Sequence, residues 1–172
     1  THGKIAKSIP KHKHSKNSYE VHYIYGGKGT LISQGKNYDL SPGILFVTGP
    51  DIEHEQNPDP ADPIQEDCLY FYIDDQNPVS KKAHIINILH THPFWYGQDT
   101  QNIICSIQLI YEELATHKFG HSISINACFQ RYLVQLARNM VSVLPQEKAG
   151  IEPVQLKIEE AFLYRYKDLT LD

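Results

Sequence analysis

Four side chains in this sequence have the types and spacing to do chemistry together: His12, His14, Glu20 and His54. Imidazole nitrogens and a carboxylate form the donor set of a borderline divalent metal such as Zn, Fe, Mn or Ni. The same four groups without a metal make a hydrogen-bonding lining for a polar ligand such as a sugar. On a strand, residues two apart share a face. His12 therefore projects with His14, and Glu20 projects with His22 and Ile24. Five residues separate His14 from Glu20. A shift of one residue along a pleated strand turns a side chain to the other face unless a turn or bulge absorbs it. Lys11 and Lys13 flank His12 and draw it towards solvent.

The elements that must position these groups are short strands between tight turns. Residues 19–25 are aromatic and β-branched and end at Gly26-Gly27. Gly26-Gly27-Lys28-Gly29 reads as a hairpin turn into a strand over 29–33. Gln34-Gly35-Lys36 is a second turn, followed by a strand over 37–40. Ser41-Pro42-Gly43 has the residues of a β-turn. Residues 44–48 are wholly apolar and predict a strand buried on both faces. Gly49-Pro50-Asp51 turns the chain again, His54 resumes it, 57–63 is a proline-acid loop, and a strand over 66–73 closes the β half. The opening Thr1-His-Gly-Lys is either a further strand or a tail. Strands this short, with turns this frequent, predict a sandwich or barrel.

The period then changes. Residues 102–117 place Ile103, Ile107, Ile110, Tyr111 and Leu114 at helical spacing, with Asp99 or Thr100 as N-cap and Phe119-Gly120 as the stop. A second helix runs from a cap at Ser122 or Ser124 to about residue 143, with Cys128, Tyr132, Leu136 and Met140 every fourth residue and Leu133 beside them. The two form an αα-hairpin. The stripe Ile103, Ile107, Ile110, Leu114 faces either the barrel or a second subunit. Pro153 suits the first turn of a third helix over 154–166. Thr170 then stands as an N-cap for a helix that does not follow, which predicts that the chain continues in a longer protein. The expected units are a β-barrel over 1–98, a helical hairpin over 99–147 and a linker with its helix over 148–172.

Composition bounds the function. A net charge of −4 over 172 residues gives no basic field for nucleic acid. Cys68, Cys105 and Cys128 are far apart, with neither a disulfide framework nor a zinc-finger spacing. No apolar run reaches membrane-spanning length and no signal-peptide core is present, so a cytoplasmic location is expected. There is no GxSxG, P-loop or GxGxxG. His90-Thr-His92 is a second HxH without an acidic neighbour. Phe94-Trp95-Tyr96 suits a sugar pocket, an interface or an apolar plug.

His12-x-His14, Glu20 and Gly27 resemble the first cupin motif, with one residue more between His14 and Glu20 than that motif usually has, and Gly43 through Gly49-Pro50-Asp51-x-x-His54 resembles the second. In their wider context, 19–30, 35–47 and 50–54 are similar to the N-terminal sensor domain of AraC-family transcription regulators. The tail, from Val154 through Lys157-Ile158 to Leu169-Thr170-Leu171-Asp172, resembles the first helix of that family's DNA-binding domain and the start of its first helix-turn-helix. The resemblance implies an α+β chain, mainly β in its first half: a cupin-like double-stranded β-helix barrel, an antiparallel helix pair and a C-terminal linker helix. It implies a small-molecule effector, sugar-like, in the barrel at His12, His14, Glu20, His22, Tyr38, His54 and Trp95. It implies a homodimer through Ile103, Ile107, Ile110, Leu114, Leu133 and Leu136, and DNA contact only through residues beyond Asp172. No catalytic residue and no obligatory cofactor are expected. The alternative is a cupin metalloenzyme, a dioxygenase or sugar isomerase, with a divalent metal on His12, His14, Glu20 and His54. A stand-alone sugar-binding cupin is a third reading.

Overall fold

A computed structural model of the chain describes residues 2–73 and 83–141. The strands are β1 (His2–Ile5), β2 (Ile9–His12), β3 (Ser18–Gly26), β4 (Gly29–Ser33), β5 (Lys36–Leu40), β6 (Ile44–Thr48), β7 (His54–Pro58), β8 (Ile64–Tyr72) and β9 (Phe94–Gln98). The helices are α1 (Ala83–Thr91), α2 (Ile103–Thr116) and α3 (His121–Met140). Two antiparallel sheets face each other, one ordered β1-β8-β3-β6-β9 and the other β2-β7-β4-β5. This is the α+β, cupin-like barrel followed by helices that the sequence predicts.

Side chains on β3, β6, β8 and β9 alternate between two cores, as the pleat requires. One face points into the barrel, where Ile24, Leu31, Leu40, Ile44, Phe46 and Ile64 pack with Tyr38, Phe94 and Tyr96. The other face carries Tyr19, Val21, Leu45 and Val47, which pack against Ile88 and Leu89 of α1, Ile103 and Ile107 of α2, and Tyr132, Leu136 and Met140 of α3. Strand β6 serves both cores, so all five of its residues are buried. That is the physical meaning of its unbroken apolar run.

The turn residues act as their types require. Gln34 and Gly35 take φ of 51° and 72°, the doubly left-handed geometry of a two-residue hairpin joining β4 to β5. Gly27 has φ of 72°, and a Cβ there would lie 2.0 Å from the Pro63 carbonyl oxygen. Only glycine fits at that crossing.

Several expectations are corrected. The turn at 26–29 is not a hairpin, because β3 pairs with β6 and β8 while β4 pairs with β5 and β7. The glycines carry the chain from one sheet across to the other, a step that local turn chemistry does not distinguish from a reversal. Helix α1 has no counterpart in the sequence reading, and residues 94–96 form an edge strand on β6. Helix α3 begins after Gly120 in a left-handed conformation rather than after a serine cap, and it ends at Met140. The N-cap position of α2 is Asn102, in a left-handed conformation, rather than Asp99 or Thr100, although the Asp99 carboxylate accepts from the Ile103 amide at 2.8 Å.

The helix pair is clamped by a polar contact. Ser106 Oγ donates to Gln135 Oε1 at 2.6 Å, and Gln135 Nε2 donates to the Gln101 carbonyl at 2.8 Å. Residues 2–141 fall within one compact unit, Thr1–Ser142. The expected linker, third helix and helix-turn-helix start lie outside the described residues.

Candidate functional site at the polar end of the barrel

The inner face of β3 presents Glu20, His22 and Ile24 in succession, and β8 opposite presents Ile64, Glu66, Cys68 and Tyr70. The register pairs Glu20 with Tyr70 and His22 with Cys68. From the second sheet, β7 contributes His54 and Gln56, and β2 brings His12 beside His54. Strand β2 ends at His12, and His14 follows in an isolated bridge to Pro50. The surplus residue between His14 and Glu20 is taken up at Asn17, which adopts φ of 65°, with the Ser18 amide donating to the Ser15 carbonyl at 3.2 Å. The misfit in spacing is absorbed by a turn, so the β3 face keeps its phase.

The four residues singled out by type converge. One ligand-type atom from each of His12, His14, Glu20 and His54 lies within 4.8 Å of the others. The His14 Nε2–H donates to Glu20 Oε2 at 2.7 Å. The His12 and His54 rings are 4.2 Å apart between centroids. His12 Nδ1–H donates to the Pro10 carbonyl at 2.9 Å, and His54 Nδ1–H donates to the Ile52 carbonyl at 3.1 Å. Each of these bonds selects the tautomer whose Nε2 lone pair is free, the same device that orients metal-binding histidines. His54 Nε2 is buried and has no hydrogen-bond partner, and Glu20 Oε2 lies 3.5 Å from it. A buried acceptor left unsatisfied is costly unless something completes it. The donor set, its fixed tautomers and this orphaned nitrogen fit a divalent metal held by His12, His14, Glu20 and His54. They equally fit a hydroxyl or ammonium donor from a ligand.

Behind the cluster lies a buried charge relay. The His22 ring stacks flat on Phe46, centroids 4.4 Å apart and planes 6° apart. Its Nδ1–H donates to Glu66 Oε1 at 3.1 Å and its Nε2–H to Glu20 Oε2 at 3.3 Å. Gln56 Nε2 donates to Glu66 Oε2 at 2.8 Å. Burial works against protonation of His22, but Glu66, Cys68 and Glu20 overrule it and raise its pKa well above the ordinary imidazole value. Burial likewise pushes the Glu20 carboxyl up, yet His22 above all holds it well below the usual carboxylate range. Glu66 is depressed against the same burial penalty by His22 and Gln56. The imidazolium thus sits between two carboxylates and aims Glu20 at the three outer histidines.

The remaining sequence-nominated residues separate. Tyr38 faces the barrel interior but packs on Phe94 and Tyr96, with centroids 5.2 and 5.0 Å away, at the apolar end rather than with the histidines. Trp95 lies on the opposite face of β9, packed against the helix core. Ile103, Ile107, Ile110 and Leu136 are buried within the chain, and Ile103, Ile107 and Leu136 pack in the core between sheet and helices. Leu133 is partly buried on the same core, and Leu114 is exposed. Glu66, Gln56 and Cys68 were missed. Their signal was the alternation Ile64, Glu66, Cys68 on one strand face, where a carboxylate falls at a buried position.

A family model for the AraC-like ligand-binding domain matches residues 3–149. The chain belongs to that family. Among solved structures, the AraC-like transcriptional activator CuxR is similar with 12% identity and a TM-score of 0.52, covering 90% of this chain and 54% of its own. ToxT from Vibrio cholerae O395, solved with (E)-4-(8-methylnaphthalen-1-yl)but-3-enoic acid, is similar with 12% identity and a TM-score of 0.53, covering 95% of this chain and 64% of its own. A cupin protein from Bacteroides fragilis has 23% identity and a TM-score of 0.38, covering 43% of this chain and 63% of its own. The AraC-like domain therefore spans less than two thirds of each of these solved chains. No curated protein sequence matches it. Among the described residues no helix is long and apolar enough to cross a membrane.

Proposed function

We propose that this ligand-binding domain senses a small polar effector at the His12, His14, Glu20 and His54 end of the barrel, as the non-catalytic sensor of a cytoplasmic transcription regulator. The observation that carries the reading is the buried, unsatisfied His54 Nε2 facing a carboxylate that His22 holds ionised. A hydroxylated, sugar-like molecule supplies what this arrangement lacks, a donor for His54 Nε2. Tyr70 and His14, with rings 5.5 Å apart, mark the mouth through which it enters. DNA contact would belong to a separate DNA-binding domain, and a homodimer would present two of them. With most of the α2 stripe buried, the pairing surface would draw on Leu114 and the exposed Leu109, Phe119 and Ile123.

A divalent metal on the same four residues is the second reading, favoured by the fixed tautomers of His12 and His54. Such an ion would polarise a ligand oxygen; with an open coordination position it is also what the metalloenzyme alternative needs.

Two measurements test these readings. Thermal-shift screening against sugars, sugar acids and small aromatic acids should find a stabilising ligand whose effect disappears in His54→Ala, since selective binding to the folded state raises apparent stability. A ligand whose effect survives in both His54→Ala and His14→Ala would place the sensor site elsewhere. Elemental analysis of the purified domain decides the second reading: one equivalent of metal per chain, lost in His54→Ala, supports it, and a metal-free protein that binds none on titration removes it.

A further inference from the structure

Outside the barrel, between the helix-facing side of β1, β3 and β8 and helix α2, lies a cavity of about 710 Å³. That is ample for a ligand of drug-like size. Its walls include Tyr25 from β3, Ile104, Tyr111, Leu114 and Ala115 from α2, and Asp67 from β8. Asp67 is the anomaly. It is a carboxylate with only 3% of its side chain exposed, on a sheet face otherwise given to apolar and tyrosine packing. Apart from His2, no lining residue is basic.

The carboxylate is covered by a side chain that is itself loosely held. His2 Nδ1–H donates to Asp67 Oδ1 at 2.6 Å, yet the His2 side chain is 61% exposed. Its ring stacks on Tyr25, centroids 5.1 Å and planes 16° apart, and meets the edge of Tyr111 at 5.9 Å. The Tyr111 hydroxyl bonds the same Asp67. A flat ring on a tyrosine face with an N–H directed at a buried acid is how an arylalkylamine would sit. His2 occupies that position from an edge strand four residues long, and a rotation about its own side-chain bonds would vacate it.

We propose that this groove binds a protonated arylalkylamine, with the ammonium on Asp67 and the ring over Tyr25, in place of the His2 side chain. Charge complementarity and the two aromatic walls supply the selectivity: an ammonium gains both the carboxylate and the tyrosine faces, whereas an anion meets a buried like charge. This site is separate from the barrel cluster and does not rest on the reading given to it.

Calorimetric titration of the 172-residue chain with tyramine, and with 4-ethylphenol as its amine-free counterpart, tests the assignment. Tyramine should bind about tenfold or more tightly than 4-ethylphenol, the worth of a charge-assisted hydrogen bond. Asp67→Asn should reduce tyramine to the affinity of 4-ethylphenol, and His2→Ala should tighten tyramine several-fold by removing the competing ring. Ala115→Trp, on an exposed helix position at the rim, should block both ligands without touching the acid, and so covers the case in which Asp67→Asn does not fold. His54→Ala should leave tyramine binding unchanged. Equal affinity for the two ligands, no binding of tyramine by His2→Ala, or binding that survives Ala115→Trp and is lost in His54→Ala would overturn the proposal.

Discussion

The two faces of one sheet are built on opposite principles. Along β3, β6 and β8, alternate residues face the helices or the barrel. The helix-facing set, Tyr19, Val21, Leu45 and Val47, is buried among apolar side chains of all three helices. The barrel-facing set includes Glu20, His22, Thr48, Glu66 and Cys68, all but Glu20 buried and the ionised ones linked through His22. Burying three ionisable groups costs several kcal/mol per ion unless each is paired and hydrogen-bonded. The helix-facing core is apolar, and the other face holds charges that must be paired to be tolerated. The difference teaches where to look for function: in this domain the polar face of a doubly buried sheet is the informative one.

The comparison can be broken from either side. The largest effect should come from the helix core. Leu136→Ala deletes a fully buried side chain and should destabilise the domain by about 2–5 kcal/mol in chemical denaturation, while leaving effector or metal binding at saturating ligand intact. A loss below about 1 kcal/mol would mean that this core does not dominate stability. Next comes Glu66→Gln, which keeps the shape but leaves His22 facing one carboxylate in place of two. The expected cost is about 1.5–3 kcal/mol, the range for a hydrogen bond to a charged group. A stabilised variant would show that the buried relay is retained at the expense of the fold. His14→Ala, at the barrel mouth, should change stability by less than about 1 kcal/mol yet abolish the ligand-induced thermal shift; an unchanged shift would remove His14 from the site.

The smallest expected effect is a change of slope. Burial, with Asp67 and Cys68 nearby, pushes the Tyr111 hydroxyl up to about 12 from its ordinary value of 10.0. A raised pKa means that the neutral form is favoured in the folded state. Its contribution is therefore complete below pH 10 and is lost as pH rises towards 12. The melting temperature of Tyr111→Phe should fall less steeply than that of the parent over this window. Parallel slopes would show that the folded state does not hold the Tyr111 hydroxyl neutral.

Much of the barrel was legible because its signals are local. The wholly apolar 44–48 run announced a strand with two buried faces, and Gln34-Gly35 announced a tight reversal. The crossing at Gly27 was not legible: a glycine turn between two strands looks the same whether the second strand pairs back or passes to another sheet, and the Pro63 backbone that excludes a Cβ there is distant in sequence. Helix α1 and the position of β9 were lost for a similar reason. Residues 83–98 are short elements whose burial is set by α3 and β6 rather than by their own periodicity.

The histidine and glutamate set shows the division most plainly. Residue type and a period of two were enough to nominate His12, His14, Glu20 and His54 and to put His22 on the same face as Glu20. Whether they met depended on one residue of slack between His14 and Glu20, and only the left-handed turn at Asn17 removed it. The same holds for the groove outside the barrel. His2, Tyr25, Asp67 and Tyr111 carry no motif and lie far apart in sequence. They become a site because antiparallel pairing sets His2 opposite Asp67 and because α2 packs across that face. Sequence determined which chemistry each strand could offer, since side-chain type and alternation are properties of the chain alone. Tertiary structure decided which groups share a cavity, since that follows from sheet register and from which element covers which face.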